Sequence, residues 1–219
     1  MNDEPKVEVQ YDQTYFDYQR RMGEFGGWAN SPFFQPFIKP NDKVIDFGCG
    51  GGYLLKALNC AQKLGIEINE RARLVATENG IQTVESADHV SDDWADVIIS
   101  SHALEHTARP LDEILRLKAK VRPGGLIVFI VPSEGAMNSY NPKNPDHHLY
   151  TWSPMCLGNL FQQSGYEVVK SESLINRWPP LYTQIAKLGR RVFDLSCRVY
   201  GFFRVSQYVQ SRVVARKPV

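Results

Sequence analysis

Two sets of residues in this chain have the types and spacing for chemistry. The first is Asp46-Phe47-Gly48-Cys49-Gly50-Gly51-Gly52, which follows the apolar run Val44-Ile45 and leads into a helix-like pattern from Tyr53. Glycine tolerates positive φ and lets a ligand lie against the main chain, while amides at the start of a helix offer N–H groups. A strand that turns on such glycines into a helix implies a nucleotide-like ligand at the C-terminal ends of the strands, where strand order reverses. Tight turns also use glycine for structural reasons, so the turn by itself does not name the ligand. The second set is the five histidines, His89, His102, His106, His147 and His148, the side chains suited to taking a proton near neutral pH.

Spacing narrows the ligand. A dinucleotide fingerprint, G-x-G-x-x-G, counted from Gly48 needs glycine at position 53, where Tyr53 stands, and no other register fits. A pyridine dinucleotide is therefore disfavoured. The pattern Asp46-x-Gly48-x-Gly50-x-Gly52 instead resembles the first motif of class I S-adenosylmethionine-dependent methyltransferases. The resemblance continues through Gly65-Ile66-Glu67-Ile68, through SSHALEH (100–106) and through RPGGLIVFIVP (122–132), spanning roughly residues 40–175. It implies S-adenosylmethionine as methyl donor, S-adenosylhomocysteine as product, and cofactor contacts from Asp46, Gly48, Cys49, Gly50, Glu67, Ile68, Ala87, Asp88 and Ser101. On this pattern Glu67 accepts from the ribose hydroxyls and Ile68 walls the adenine. The Ser86-Ala87-Asp88 loop meets the adenine edge, and Asp46, the Gly48 carbonyl and Ser101 face the methionine end.

Methyl transfer from a sulfonium is a direct in-line displacement, so the protein contributes positioning and exclusion of water. A hydroxyl acceptor also needs a base. His148 is the favoured one and His102 the second; His148 lies in NPKNPDHHLYTWSP (141–154), which resembles the region that closes over the acceptor in this family. His102 and His106, four residues apart, would share a face of a helical turn near Glu105. Packing for His106 and solvent for His147 are the plainer readings. The expected acceptor is an oxygen of a small molecule, a sugar or a lipid-linked glycan. Nucleic acid is not expected, because no NPPY or DPPY tetrapeptide follows the fourth strand. A second reading is a scaffold that kept the fold, lost the chemistry and associates through a basic C-terminal helix.

The elements that must hold these residues are legible as an alternation of β-branched runs and helical patterns, the mark of a doubly wound α/β domain with a mostly parallel seven-stranded sheet and helices on both faces. Strand candidates are 43–48, 62–68, 82–85, 95–100, 126–132, 166–172 and 211–217. Helical patterns fall at 52–59, 69–80, 110–121 and 153–165, with Asn69 as a cap, Pro110 as an opener and Gly80, Gly124 and Gly165 as closers. The expected organisation is an N-terminal helical cover over residues 1–40, a cofactor-binding core over 41–176, a basic amphipathic helical insertion over 177–210 and a final core strand over 211–219. Tyr11, Tyr15, Phe16, Arg20, Arg21 and Trp28 of the cover are placed either over the cofactor or in packing, since Tyr11, Tyr15 and Tyr18 keep helical spacing.

With 219 residues, 43% of them hydrophobic and 22% charged, the chain fits one globular domain with additions. The start, MNDEPKVEVQ, carries acids where a secretory signal would be basic, so a cytoplasmic protein is expected, at most peripheral to the inner face of a membrane. Four scattered cysteines give no CxxC and no zinc spacing, and no metal site is assigned. The net charge of +1 hides an asymmetry: residues 177–219 hold nine Lys and Arg against the single acid Asp194. Within that stretch Leu181, Ile185, Leu188, Val192, Leu195, Val199 and Phe202 repeat at intervals of four and three, one apolar seam on a helix. Packing on the chain's own sheet, a homodimer contact and an anionic membrane surface compete for residues 181–203, with internal packing the usual fate of such a helix.

Overall fold

The computed structural model describes residues 13–134, 139–144, 146–205 and 208–219. Helix α1 (Gln13–Asn30) precedes seven strands: β1 (Lys43–Phe47), β2 (Gln62–Ile66), β3 (Gln82–Val84), β4 (Ala95–Ser101), β5 (Val121–Glu134), β6 (Glu167–Leu174) and β7 (Tyr208–Arg216). Between them run α2 (Tyr53–Ala57), α3 (Glu70–Glu78), α4 (Pro110–Lys120), α5 (Pro154–Gln163), α6 (Tyr182–Ala186) and α7 (Arg190–Phe203). The strands form one sheet in the order β3-β2-β1-β4-β5-β7-β6. All pairings are parallel except those of β7, which runs antiparallel to both β5 and β6.

The central strands are apolar on both faces because helices cover both. Ile45, Ile98, Ile127, Phe129 and Val131 enter one core with Ile114, Leu117, Leu157 and Phe161 of α4 and α5. Their neighbours Val44, Val97, Ile99, Val128 and Ile130 enter the other, with Leu54 and Leu55 of α2 and Ala76 of α3. Period-two alternation thus splits continuous apolar runs between two layers. Local signals behave as their chemistry requires: the Asn69 side chain accepts from Ala72 N at 3.2 Å and caps α3, Pro110 opens α4, and Gly80 and Gly165 turn the chain at φ +77° and +76°.

Three expectations change. Gly124, at φ +73°, does not close α4, which stops at Lys120 with Val121 already extended; the glycine shapes the irregularity through which β5 shifts register against β4 between Ala95 and Val97. Strand β7 begins at Tyr208 rather than Ser211, long enough to pair with β5 up to Glu134. The C-terminal seam does not run along one helix, because Gly189 at φ +103° separates α6 from α7. It also does not pack on the sheet. The buried residues of α7 are Phe193 and Cys197, which pack with Phe25, Ala29, Trp178 and Tyr182, and Gly201, which lies against the backbone of Asn176 and Arg177.

Helix α1 is clamped on both sides. Gly23 and Gly27 lie so close to Tyr53 of α2 that a Cβ would sit within 2.6 Å of its atoms, while Arg190 of α7 donates to the carbonyls of Trp28 (2.6 Å) and Ala29 (2.9 Å). The Arg190 guanidinium also stands 4.4 Å from the Trp28 ring, so Trp28 packs between α7 and Phe25 of its own helix. Tyr11 lies outside the described residues, as do the side chains of Tyr15, Phe16, Tyr18, Arg20 and Arg21.

Candidate functional site

The strand order reverses between β1 and β4, and the loops that leave these two strands open a crevice there. The first loop is the glycine turn. Its amides at Gly48 and Cys49 donate to Ile66 O at 2.8 and 3.2 Å, and Gly48, Gly50 and Gly52 stand at φ +73°, +51° and +74°. The glycines differ in what excludes a side chain. A Cβ on Gly48 would lie 2.2 Å from the Cβ of Ala103, and one on Gly52 within 2.9 Å of Ile81, whereas one on Gly50 meets nothing within 4 Å. Gly48 is bare so that protein can pack against it; Gly50 is bare beside open space, where a ligand can lie against the chain.

Glu67, just past β2, holds that turn. One carboxylate oxygen accepts from Gly50 N at 2.9 Å and the other from Asn69 N at 2.8 Å. Burial raises its pKa, and the amides of Asn69 and Gly50 and the charge of Arg73 oppose the rise. Each oxygen keeps a lone pair for a further donor. Ile68 beside it is 77% exposed, a large apolar side chain presented to solvent next to the turn. On the neighbouring strand, Ser86 caps the short turn 87–89 by accepting from Asp88 N, with Ala87 buried and the Asp88 carboxylate exposed. Asp46, at the end of β1, is 2% exposed, and burial followed by the charge of Glu67 raises its pKa well above the usual carboxylate range. The Cys49 thiol packs over Gly65, where a Cβ would come within 2.3 Å of the sulfur; burial and the two carboxylates push its pKa up, so it stays protonated. Ser101 is half-buried at the end of β4, and Ser100 Oγ donates to Phe47 O at 2.8 Å, tying β4 to β1 at the crevice.

The second loop, after β4, carries the histidines. His102 and His106 do not share a helical face: His102 stands in left-handed backbone at φ +55°, and a short 3-10 turn covers Leu104–His106. His102 instead turns to Glu105, its Nδ1 3.3 Å from Oε1. Burial alone would lower the His102 pKa, but the adjacent Glu105 carboxylate outweighs it and raises the value. His106 packs its ring 5.2 Å from that of His148, and burial lowers its pKa. The loop after β5 folds back over this segment through Leu149 N to Glu105 O (3.0 Å) and Tyr150 Oη to Ala108 O (3.1 Å), and returns to its own strand through Trp152 N to Pro132 O (3.2 Å).

That fold-back brings His148 beside Glu105 and His106 of the loop after β4. Its Nδ1 lies 2.8 Å from Glu134 Oε1 at the end of β5, and its Nε2 lies 4.0 Å from Glu105 Oε1. Nδ1 donating to Glu134 leaves Nε2 as the proton acceptor. Glu105 itself is fully buried, and neither of its oxygens makes a hydrogen bond of good geometry. A buried carboxylate in this condition is costly until a donor or cation arrives. Ligand atoms of Glu105, His106 and His148 lie within 4.8 Å of one another, a carboxylate and imidazole set that could also hold a divalent transition ion. The sequence reading assigned no metal and missed both Glu105 and Glu134 as site residues. His147 and His89 are exposed.

Comparisons with known proteins show the family and the fold. A family model described as a methyltransferase domain matches residues 18–171. The ubiquinone biosynthesis O-methyltransferase of Roseobacter denitrificans is 27% identical over 177 residues, 70% of this chain and 69% of that protein. The protein of the same name from Stutzerimonas stutzeri is 35% identical over 99 residues, but the match spans 40% of this chain and 43% of its relative, less than half the length of either. Among solved structures, Haemonchus contortus phosphoethanolamine N-methyltransferase 2 in complex with S-adenosyl-L-methionine superposes with a TM-score of 0.67 at 15% identity, over 97% of this chain and 59% of that one.

The two glycines separate packing from binding. Gly50→Ala is expected to fold, at a cost of about 1–2 kcal/mol for its left-handed backbone, and to weaken S-adenosylhomocysteine binding at least about tenfold. Gly48→Ala is expected to lower thermal stability far more, through the Ala103 clash. Glu67→Ala should weaken the same ligand by roughly 10- to 100-fold, the loss of hydrogen bonds to a charged acceptor. Calorimetric titration and thermal denaturation read all three, and unchanged affinity in Gly50→Ala and Glu67→Ala would place the cofactor elsewhere.

Proposed function

The chain belongs to the class I S-adenosylmethionine-dependent methyltransferase family, and we propose that it moves the donor's methyl group to an oxygen of a small molecule, a sugar or a lipid-linked glycan, with His148 as base. The observation that carries this reading is the Glu134–His148 pair: a carboxylate 2.8 Å from Nδ1 fixes the ring and leaves Nε2 turned toward the fully buried Glu105. The names of the relatives, both O-methyltransferases, favour oxygen as the acceptor atom.

Asp46, Gly48, Cys49, Gly50, Glu67, Ile68, Ala87, Asp88 and Ser101 hold the donor in this reading. Gly50 gives it room, Glu67 takes the ribose hydroxyls, Ile68 and the 86–88 loop flank the adenine, and Asp46 faces the cationic methionine end. The family's donor supplies a methyl group activated by the sulfonium. The acceptor oxygen forms its bond to the methyl carbon as the carbon–sulfur bond breaks, and the acceptor proton passes to His148 Nε2. Gly48 packs against Ala103, so the turn that holds the donor and the loop bearing the histidines are in contact. His102, held by Glu105, is a positioning residue for that loop.

A second reading of the same cluster is favoured by the buried carboxylate of Glu105, which His102 and His148 approach without a hydrogen bond of good geometry. A divalent ion held by Glu105, His106 and His148 would orient the acceptor hydroxyl and lower its pKa. Chelation separates the two. With His148 as base, enzyme treated with EDTA keeps its rate; with a metal, the rate falls and a divalent ion restores it.

Activity is measurable before the acceptor is known, by incubating cell extract with isotope-labelled donor and finding labelled product by mass spectrometry. His148→Ala is expected to lower the rate by roughly 10²- to 10⁴-fold with S-adenosylhomocysteine affinity unchanged, and Glu134→Gln by about 10-fold or more. A His148→Ala enzyme of normal rate would remove the base. Asp46 adds a pH dependence. Its pKa is raised in the free protein, and a cationic ligand favours the carboxylate, so donor binding releases a proton. Affinity for S-adenosylmethionine should therefore climb as pH rises through the Asp46 value and level off above it. Asp46→Asn should flatten that rise, as titrations at stepped pH will show.

A further inference from the structure

Helix α7 has two apolar faces, and the fold uses one. Phe193, Cys197 and Gly201 point inward to α1 and Trp178. At about 100° per residue, Val192, Leu195, Val199, Phe202 and Phe203 fall on the opposite side, and all five are solvent-exposed, Leu195 at 63% and Phe202 at 65%. Leu188 at 70%, just before the helix, extends the row. Leu188, Val192, Leu195, Val199 and Phe202 belong to the heptad-like seam in the sequence and face outward, whereas Ile185 of the same seam packs against the Phe193 cluster. An apolar row of this length, on a helix about 21 Å long, marks an interaction surface rather than scattered exposure.

Charge identifies what covers it. Arg191 and Arg198 run along one edge of the row, Lys187 precedes it and Arg204 follows, all four exposed. The one acid of α7 itself, Asp194, is paired with Arg190 at 2.9 Å on the side facing α1. A second copy of this chain docked about a twofold axis through α7 would bring Arg191 and Arg198 against their own like charges, with no acid on the outward face of α7 to meet them. An anionic lipid surface matches both features, since apolar side chains enter the acyl boundary while arginines reach phosphates. Among the described residues no helix is long and apolar enough to cross a membrane, so α7 would lie on the surface.

We propose that the outward face of α7, with Leu188, Val192, Leu195, Val199, Phe202 and the flanking Arg191 and Arg198, seats this protein on an anionic bilayer. The orientation has a consequence for the site. Helix α7 packs on α1 through Phe193, Phe25 and Trp28, and α1 packs on Tyr53, which adjoins the glycine turn at Gly51. The bilayer contact is thus one helix removed from the cofactor turn. The surface stands independently of which acceptor is methylated.

The test is flotation of the full chain with vesicles of phosphatidylcholine alone or mixed with phosphatidylglycerol. The wild-type protein is expected to float with the mixed vesicles, less as salt rises, and not with phosphatidylcholine alone. Leu195→Ser/Phe202→Ser and Arg191→Glu/Arg198→Glu should each lower binding at least about tenfold. Their melting temperatures and S-adenosylhomocysteine affinities should match wild type, since the altered side chains are exposed. Absence of wild-type flotation, or equal flotation of the variants, overturns the proposal. So does a wild-type dimer in analytical ultracentrifugation that Leu195→Ser/Phe202→Ser dissociates, which would make the row a subunit contact.

Discussion

A carboxylate bridging two backbone amides sets the shape of the crevice. The turn after β1 runs through three residues at positive φ, a conformation that glycine permits without enforcing. Glu67 enforces it from the neighbouring strand by accepting from Gly50 and Asn69 at once, which also fixes where α3 begins. Because Glu67 leaves β2 while the turn leaves β1, the bridge depends on the parallel register that pairs Phe47 with Ile66. The continuous apolar runs of these strands secure that register by burial on both faces.

From the turn the constraint passes to the chemistry through one contact. Gly48 lies against Ala103 with no room for a Cβ, so the loop after β4 cannot shift without disturbing the turn. That loop holds Glu105 in full burial without satisfying it, and the loop after β5 then brings His148 beside it, held from behind by Glu134. Natural interiors rarely leave a carboxylate in this state. Its cost is sustained by the packing of Leu104 and Trp152 in the core below, which is consistent with a site organised for a proton or a cation rather than for its own stability.

The strands, their order of appearance and the cofactor turn were legible because each rests on local chemistry: β-branched runs, glycine at positive φ, and an acid ending the second strand. The cluster of histidines and carboxylates was legible in part. His148 stood out in the sequence as a candidate in its loop, but Glu134 lies fourteen positions earlier and meets it only because the chain reverses through hydrogen bonds that no spacing encodes. His102 and His106 were misread for the opposite reason, since a four-residue interval implies a shared face only where a helix exists, and left-handed backbone at His102 prevents one. The C-terminal seam shows a deeper limit. Periodicity reveals that a helix has an apolar side, yet α7 has two, and the smaller set, Phe193, Cys197 and Gly201, wins the interior because Gly201 lets the chain at Asn176 and Arg177 approach closely.

The same carboxylates bear on the ligand by an argument separate from fingerprint spacing. Asp46 is buried and Glu67 is nearly so, on adjoining strands, and each is held toward its neutral form chiefly by burial, with the Glu67 charge adding to the rise at Asp46. A pyrophosphate drawn to the amides of the glycine turn would have to enter beside both, and its negative charge would push their pKa values higher still. A ligand carrying an ammonium and a sulfonium does the reverse, restoring the charged carboxylates while they replace part of its lost hydration. Beside Asp46 the sign of charge therefore favours a cationic ligand over an anionic one, in addition to the room that Gly50 leaves.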